Sequence, residues 1–256
     1  MNWINKYNDM TAYNADSTKQ YPNTSYVVAT DEVIFKMQEE AFGGLTIKYD
    51  IDSTLGEVTL FNISGGSSSS SSSSSESGSG SGGGGVMPTK MYIDGVEETP
   101  INTWRFETTG EHIVQYEFES GGVPEYYFTD LTHITEVIIG EDITQIGSHT
   151  FYNNPITSVE IPDSVQLIGE DAFYGCALLE DATIGTGIIT INTGAFGACT
   201  SLASLTVEAT TPPALDGELF PDLVFNGTIY VPAESVSAYQ AASNWNNHAS
   251  KIQAIS

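Results

Sequence analysis

Apolar residues recur at fixed intervals between Ile134 and Val207. Phenylalanines follow one another at intervals of 22 and 23 residues, and isoleucines keep the same intervals in two further columns. A period in this range, with apolar residues in constant positions, indicates a solenoid built from one supersecondary unit per coil. The predicted core columns are Ile139, Ile161, Ile184 and Val207; Ile146, Ile168 and Ile191; and Phe151, Phe173 and Phe196.

Each coil is predicted to contain a short strand whose side chains alternate between the core and the surface. One coil cannot bury its apolar side alone, so neighbouring coils are expected to stack into a continuous core. The outward positions form a candidate binding face that is acidic and rich in hydroxyl groups. Its residues are Glu136, Ile138, Ser158, Glu160, Asp181, Thr183, Ser204 and Thr206. Two interpretations stay open, a binding surface and the solvated side of a sheet.

The second unit, residues 159–176, has the sequence VEIPDSVQLIGEDAFYGC. It resembles the BspA-like leucine-rich repeat family, whose pattern is close to VxIPxSVxxIGxxAFxxC. The first unit departs from this pattern at Thr150 and Asn154, and the third at Gly185. The resemblance extends over about residues 91–256 and implies repeats over 131–211, with an α/β cap over 212–256. It also implies buried cysteines at Cys176 and Cys199, which extend the predicted repeat core.

The segments before the repeats favour a mainly β fold with minor α structure. Residues 1–63 are predicted to form a small β module, with a hairpin around Thr30 and strands near 45–50 and 57–62. A Ser/Gly tract follows over residues 64–85 and is predicted to be a flexible linker, either natural or engineered. Residues 86–130 are predicted to form a small β-sandwich-like domain that caps the solenoid.

The chain is strongly acidic, with 33 Asp and Glu residues against seven Lys and Arg residues and a formal net charge of −26. Nucleic acid is therefore not expected as a partner, because binding a phosphate backbone requires a basic surface. No run of about 18 apolar residues occurs, so membrane insertion is not expected. The residues before Pro22 also lack the basic and apolar regions of a secretory signal.

Residues with catalytic or metal-binding chemistry form no recognisable motif. Two cysteines without a CxxC spacing, and four scattered histidines, favour structural roles over a metal site. The segment 50–54 resembles the opening of a calcium loop, but the glycine and glutamate of an EF-hand are not at the required spacing. We therefore expect no enzyme activity, no metal and no cofactor.

The N-terminal stretch, residues 5–36, resembles the opening of virion structural proteins in phages of gut Bacteroidota, including crAss-like phages. The resemblance implies a head fibre, capsid decoration or tail-fibre component that attaches to other virion proteins through residues 1–63. The solenoid would then bind a host-surface protein or glycan, or a mucosal one, from a virion surface assembled in the host cytoplasm. A homo-oligomer is expected, with a trimer favoured because multivalent display increases avidity. The alternative is an adhesin on the bacterial cell surface.

Overall fold

The computed structural model describes residues 42–52, 57–62, 87–221 and 225–255. Strands dominate these residues, which confirms the prediction of a mainly β fold with minor α structure. The strands are β1 (Leu45–Ile51), β2 (Val58–Thr59), β3 (Lys90–Ile93), β4 (Val96–Glu98), β5 (Thr103–Trp104), β6 (Gly110–Glu117), β7 (Gly122–Val123), β8 (Ile134–Ile139), β9 (Gln145–Ile146), β10 (Ser158–Ile161), β11 (Leu167–Ile168), β12 (Asp181–Ile184), β13 (Thr190–Asn192), β14 (Ser204–Val207), β15 (Ala214–Asp216), β16 (Thr228–Val231) and β17 (Ile252–Ala254). A short helix, α1 (Val236–Ala241), lies between 3-10 turns at Ala233–Ser235 and Trp245–Lys251.

Two parallel sheets form the predicted solenoid. One has the strand order β10-β12-β14-β16-β17 and the other β7-β9-β11-β13-β15. Residues of one sequence column are paired across neighbouring strands, as Ile161 is with Ile184 and Ile168 with Ile191. All of the predicted core residues from Ile139 to Val207 are buried. The columns therefore stack coil upon coil, as their spacing predicted.

A ladder of phenylalanine rings runs along the core of the solenoid. The ring centroids of Phe151 and Phe173 are 5.3 Å apart, and those of Phe173 and Phe196 are 5.4 Å apart. The ladder begins one coil earlier than predicted, because Phe128 stacks on Phe151 at 5.5 Å. Val123 likewise pairs with Ile146 in the second parallel sheet. The predicted start of the repeats at residue 131 is therefore too late, and the first coil includes residues assigned to the capping domain.

Each coil also repeats two residues in the left-handed backbone region. One column contains Asp130, Asn153, Gly175 and Ala198, with φ angles of 59°, 58°, 74° and 52°. The other contains Tyr126, His149, Asp171, Gly194 and Gly217. A left-handed conformation costs an L-residue with a side chain roughly 1 kcal/mol of stability. The non-glycine residues of the two columns therefore destabilise their coils slightly, while the backbone turn stays the same from coil to coil.

Five of the strands outside the parallel sheets form an antiparallel sheet with the order β4-β3-β6-β1-β8, and β2 pairs with β5 in a separate two-stranded sheet. Strand β1 lies between two neighbours: Ile47 pairs with Val114 of β6 on one side and with Val137 of β8 on the other. The predicted boundary at residue 63 is therefore wrong for residues 45–52 and 57–62. These residues belong to the same folded unit as the capping strands, and the Ser/Gly tract connects β2 to β3 within that unit.

The segment that contains β2 is also fixed in this core. The Tyr49 hydroxyl donates a hydrogen bond of 2.6 Å to the carbonyl of Leu60 and lies 3.2 Å from the Tyr116 hydroxyl. Burial raises the pKa of Tyr49 above its usual range, so the hydroxyl stays protonated. The ring of Phe61 stacks on Tyr127 with a centroid distance of 4.6 Å. The predicted hairpin around Thr30, by contrast, lies outside the described residues.

Cutting the Ser/Gly tract should not separate the two parts of the chain. Glu76 is the one charged residue between 64 and 85, so a glutamate-specific protease can cleave there. Because β1 pairs with strands on both sides, we expect the two fragments to co-elute in gel filtration and to separate only in denaturant. The variant Glu76→Gln should stay uncut at this position. Separation of the fragments without denaturant would contradict the arrangement of the antiparallel sheet.

Replacing Ala198 by glycine should stabilise the protein by about 0.5–1 kcal/mol. Ala198 has a φ of 52°, and glycine adopts this conformation without steric cost. The reciprocal change, Gly175→Ala, should destabilise by about 1 kcal/mol or more, because the new methyl group would also collide with Asn153. Ala203→Gly, at an exposed position outside the left-handed columns, is the control and should destabilise slightly. Chemical denaturation checks all three, and a destabilised Ala198→Gly would contradict the explanation.

Candidate functional site

The outward side chains of the first parallel sheet are arranged in two straight rows, which together we call the strand face. In one row Ser158, Asp181, Ser204 and Thr228 are paired in register. In the other row Glu160, Thr183, Thr206, Tyr230 and Gln253 are paired in the same way. Neighbouring strands lie about 4.8 Å apart, so each row presents one side chain at that interval on a rigid surface.

The strand face is organised internally by hydrogen bonding. The Ser204 hydroxyl donates to the carboxylate of Asp181 at 2.5 Å. Ser158, Glu160 and Asp181 are exposed, whereas Thr183, Ser204 and Thr206 are half-buried. Hydroxyl and carboxylate groups therefore lie close together on the strand face. They offer hydrogen-bond donors and acceptors to a polar partner.

The structure places Glu136 and Ile138 in a different sheet from the rest of the predicted binding face, although their strand lies beside β10. Both lie on β8, which belongs to the antiparallel sheet. The Glu136 carboxylate forms a 2.9 Å ion pair with Lys48 of β1, and Ile138 pairs with Thr46 of the same strand. These two residues are therefore paired with β1 of the cap, and no strand pairing holds them in register with the rows of the strand face.

Tyr230 is a member of the strand face that the sequence analysis did not include. It lies on β16, which was assigned to the cap, yet β16 pairs directly with β14 and places Tyr230 beside Thr206. The alternation in Ile229, Tyr230 and Val231 was a sufficient signal, since the two aliphatic residues are buried and the tyrosine between them is half-buried. The strand face thus includes an aromatic ring at its C-terminal end.

A second feature is a stack of half-buried aromatic rings beside the phenylalanine ladder. Centroid distances are 4.5 Å between Tyr126 and His149, 5.6 Å between His149 and Tyr152, and 5.2 Å between Tyr152 and Tyr174. The His149 Nε2 atom lies 3.4 Å from the carboxylate of Asp171. The 22-residue interval between Tyr152 and Tyr174 could have indicated this stack. Because these rings lie face to face, they stabilise neighbouring coils in the same manner as the phenylalanines.

The two cysteines have a structural role. The Cys176 thiol donates a hydrogen bond to the Phe151 carbonyl, and the Cys199 thiol donates to the Phe173 carbonyl, both at 3.2 Å. Asn154, one coil earlier, donates its side-chain amide to the Phe128 carbonyl at 2.8 Å. Burial raises the pKa of Cys199 to about 12 and that of Cys176 further. Since the thiolate is the reactive form of cysteine, these side chains are poor nucleophiles and poor metal ligands.

The described residues contain no group of three or more histidine, cysteine, aspartate or glutamate side chains placed to hold a metal ion. His112 is buried and lies 2.7 Å from the carboxylate of Asp94, where it supports the turn between β3 and β4. His248 packs edge-on against Phe220 in the C-terminal cap, and burial lowers its pKa. No described helix has the length and apolar character needed to cross a membrane.

Comparison with known proteins identifies the repeat region. Residues 99–217 match the model of the BspA type leucine-rich repeat region, in six copies. A solved leucine-rich repeat protein from Bacteroides capillosus ATCC 29799 is similar over 45% of this chain and 82% of its own, with 27% identity and a TM-score of 0.29. No curated protein matches the chain. Residues 99–217 are therefore similar to a leucine-rich repeat region of the BspA type.

Proposed function

We propose that this protein is a phage virion component that displays its leucine-rich repeat domain for attachment to a host or mucosal surface. The observation on which the binding role depends is the strand face, where side chains are held in register across five strands. A rigid surface loses little conformational entropy when it binds, which favours affinity. A head fibre, a capsid decoration and a tail-fibre component are all compatible with this role.

The virion location is supported by the likeness of the first residues to phage structural proteins. Because β1 is part of the antiparallel sheet and β2 pairs with β5 of the cap, the proposed attachment to other virion proteins involves residues 1–41 instead of 1–63. The Ser/Gly tract cannot act as the link between that attachment segment and the solenoid, since it connects two strands of the cap. A trimer would let a weak attachment segment gain avidity.

The partner of the strand face is proposed to be a protein or a glycan on the host surface. Hydroxyl and carboxylate groups suit a polar partner, and Tyr230 adds an aromatic ring of the kind that packs against a sugar or an apolar side chain. The strand face has no lysine or arginine in either row, which disfavours polyanions such as nucleic acid. We propose a binding role and no catalytic one.

The second candidate is an adhesin on the surface of a bacterial cell. The BspA-type repeats support this function as well as they support the virion role. Both candidates use the strand face in the same way and differ only in what anchors the domain.

The location of the protein distinguishes the two candidates. For a virion component, mass spectrometry should detect the chain in purified phage particles, and antibodies should not label the surface of uninfected cells. A chain that lacks residues 1–41 should no longer be incorporated into particles. Surface labelling of uninfected cells, together with absence from particles, would refute the virion role in favour of the adhesin.

Substitutions on the strand face should weaken attachment without unfolding the protein. Thr183→Arg and Thr206→Arg place large cations at the centre of the strand face, and we expect binding to intact host cells to fall at least tenfold, the usual effect of losing a central contact. Gln166→Arg adds the same charge at an exposed position directly before β11 and is the matched control. Fluorescent protein retained by the cells provides the measurement. Equal retention of all three variants would remove the strand face from the proposal.

A further inference from the structure

The strand that carries Tyr230 is preceded by an asparagine that stands before a glycine. Of all the asparagines in the sequence, Asn226 alone has glycine as its successor, Gly227. The pair leads directly into β16, which starts at Thr228 and contributes Thr228 and Tyr230 to the strand face. Asn226 is exposed and lies outside any strand or helix, so water can reach its side chain.

The fold requires glycine at position 227. A Cβ atom on Gly227 would lie 2.5 Å from the carbonyl oxygen of Ala203 and 2.7 Å from the ring of Phe225. The Ala203 oxygen accepts a hydrogen bond of 2.9 Å from the N–H of Thr228, and Phe225 is buried. Neither neighbour can therefore yield without breaking a contact. Because only glycine lacks a Cβ atom, the preceding asparagine keeps the least hindered successor that an asparagine can have.

This pair of residues can react with itself. The backbone nitrogen of Gly227 and the side-chain Cγ of Asn226 are held close by the short chain between them, which favours attack of the nitrogen on the carbon. The new N–Cγ bond closes a succinimide ring, the bond from Cγ to Nδ2 breaks, and the proton of the Gly227 N–H leaves with ammonia. Water then opens the ring at either carbonyl. One product is aspartate, and the other is isoaspartate, in which the main chain runs through the former side chain.

We propose that Asn226 deamidates spontaneously in this way and that the isoaspartate formed loosens the start of β16 as the protein ages. Isoaspartate lengthens the main chain by one methylene group directly before Thr228. The register of a strand depends on the length of the chain that leads into it. The Thr228 N–H donates to the Ala203 carbonyl at 2.9 Å, and this hydrogen bond between coils is the first that the longer chain displaces.

The change is confined to the first residues of β16. Ile229 and Val231 are fully buried, and Val231 pairs with Ala254 of β17. These contacts hold the strand in the core, so the solenoid stays folded while Thr228 separates from its pair, Ser204. One row of the strand face thereby loses its last member. The reaction needs only this chain and water, so the inference does not depend on the proposed function.

Ageing of the purified full-length chain in neutral buffer tests the chemical step. Peptide mass spectrometry detects the replacement of the amide by an acid, and enzymatic methylation distinguishes isoaspartate from aspartate. Asn246 and Asn247 are internal controls, because both are exposed but are followed by residues that have side chains. We expect Asn226 to convert at least tenfold faster than either, since its successor does not hinder the attack. Conversion of Asn226 no faster than that of the two controls would overturn the proposal.

Hydrogen exchange measures the structural consequence separately. We expect the amide of Thr228 to exchange at least tenfold faster in the aged protein than in the fresh one, because its hydrogen bond is lost locally. The aged variant Asn226→Gln should exchange as the fresh protein does, since the longer side chain closes a ring much less readily.

A second variant separates the added charge from the longer main chain. Freshly purified Asn226→Asp has the new carboxylate without the extra methylene group, and its Thr228 amide should exchange at the native rate. Fast exchange in this variant would contradict the proposal by assigning the effect to charge. Native exchange in aged protein that contains isoaspartate at position 226 would refute the loosening of β16.

Discussion

The pairing of β1 with β6 and β8 is the interaction on which the rest of the structure depends. A solenoid exposes an apolar surface at each end of its stack, and here the first coil is covered by the sheet that β1 completes. Without β1, strands β6 and β8 would each have an unpaired edge, and Leu45, Ile47 and Tyr49 would be missing from the core. The strand face is therefore supported by residues that precede the Ser/Gly tract.

Repetition explains why the solenoid tolerates departures from its own pattern. Asn154 stands where later coils have cysteine, yet it makes the equivalent hydrogen bond. It donates to the Phe128 carbonyl, one coil earlier, as Cys176 donates to the Phe151 carbonyl. Thr150 replaces alanine, and its single hydroxyl proton has two carbonyl acceptors within reach, those of Gly147 at 2.8 Å and Pro124 at 2.9 Å. At the position of Asn154, Cys176 and Cys199, each of these coils thus keeps a buried side-chain donor to a carbonyl of the preceding coil.

The solenoid could be predicted because its evidence is local and repeated. Phe151, Phe173 and Phe196 each occupy the same position in a similar segment, so their spacing predicted the stacking that the structure contains. Phe128 and Tyr230 were missed because the segments around them no longer resemble the repeat, although they continue its geometry. The place of β1 could not be predicted, since its partners follow a tract of serine and glycine that is typical of a domain boundary. Strand pairing over such a distance leaves no periodic signal.

The position of β1 also determines how the molecule responds to a pulling force. Tension applied between a residue before Phe42 and the solenoid reaches β1 first among the described strands. From there it is transmitted to β8 through the row of hydrogen bonds between residues 45–49 and 134–139. The Ser/Gly tract lies after β2 and outside this path, so its length can change without altering the resistance of the protein to shear.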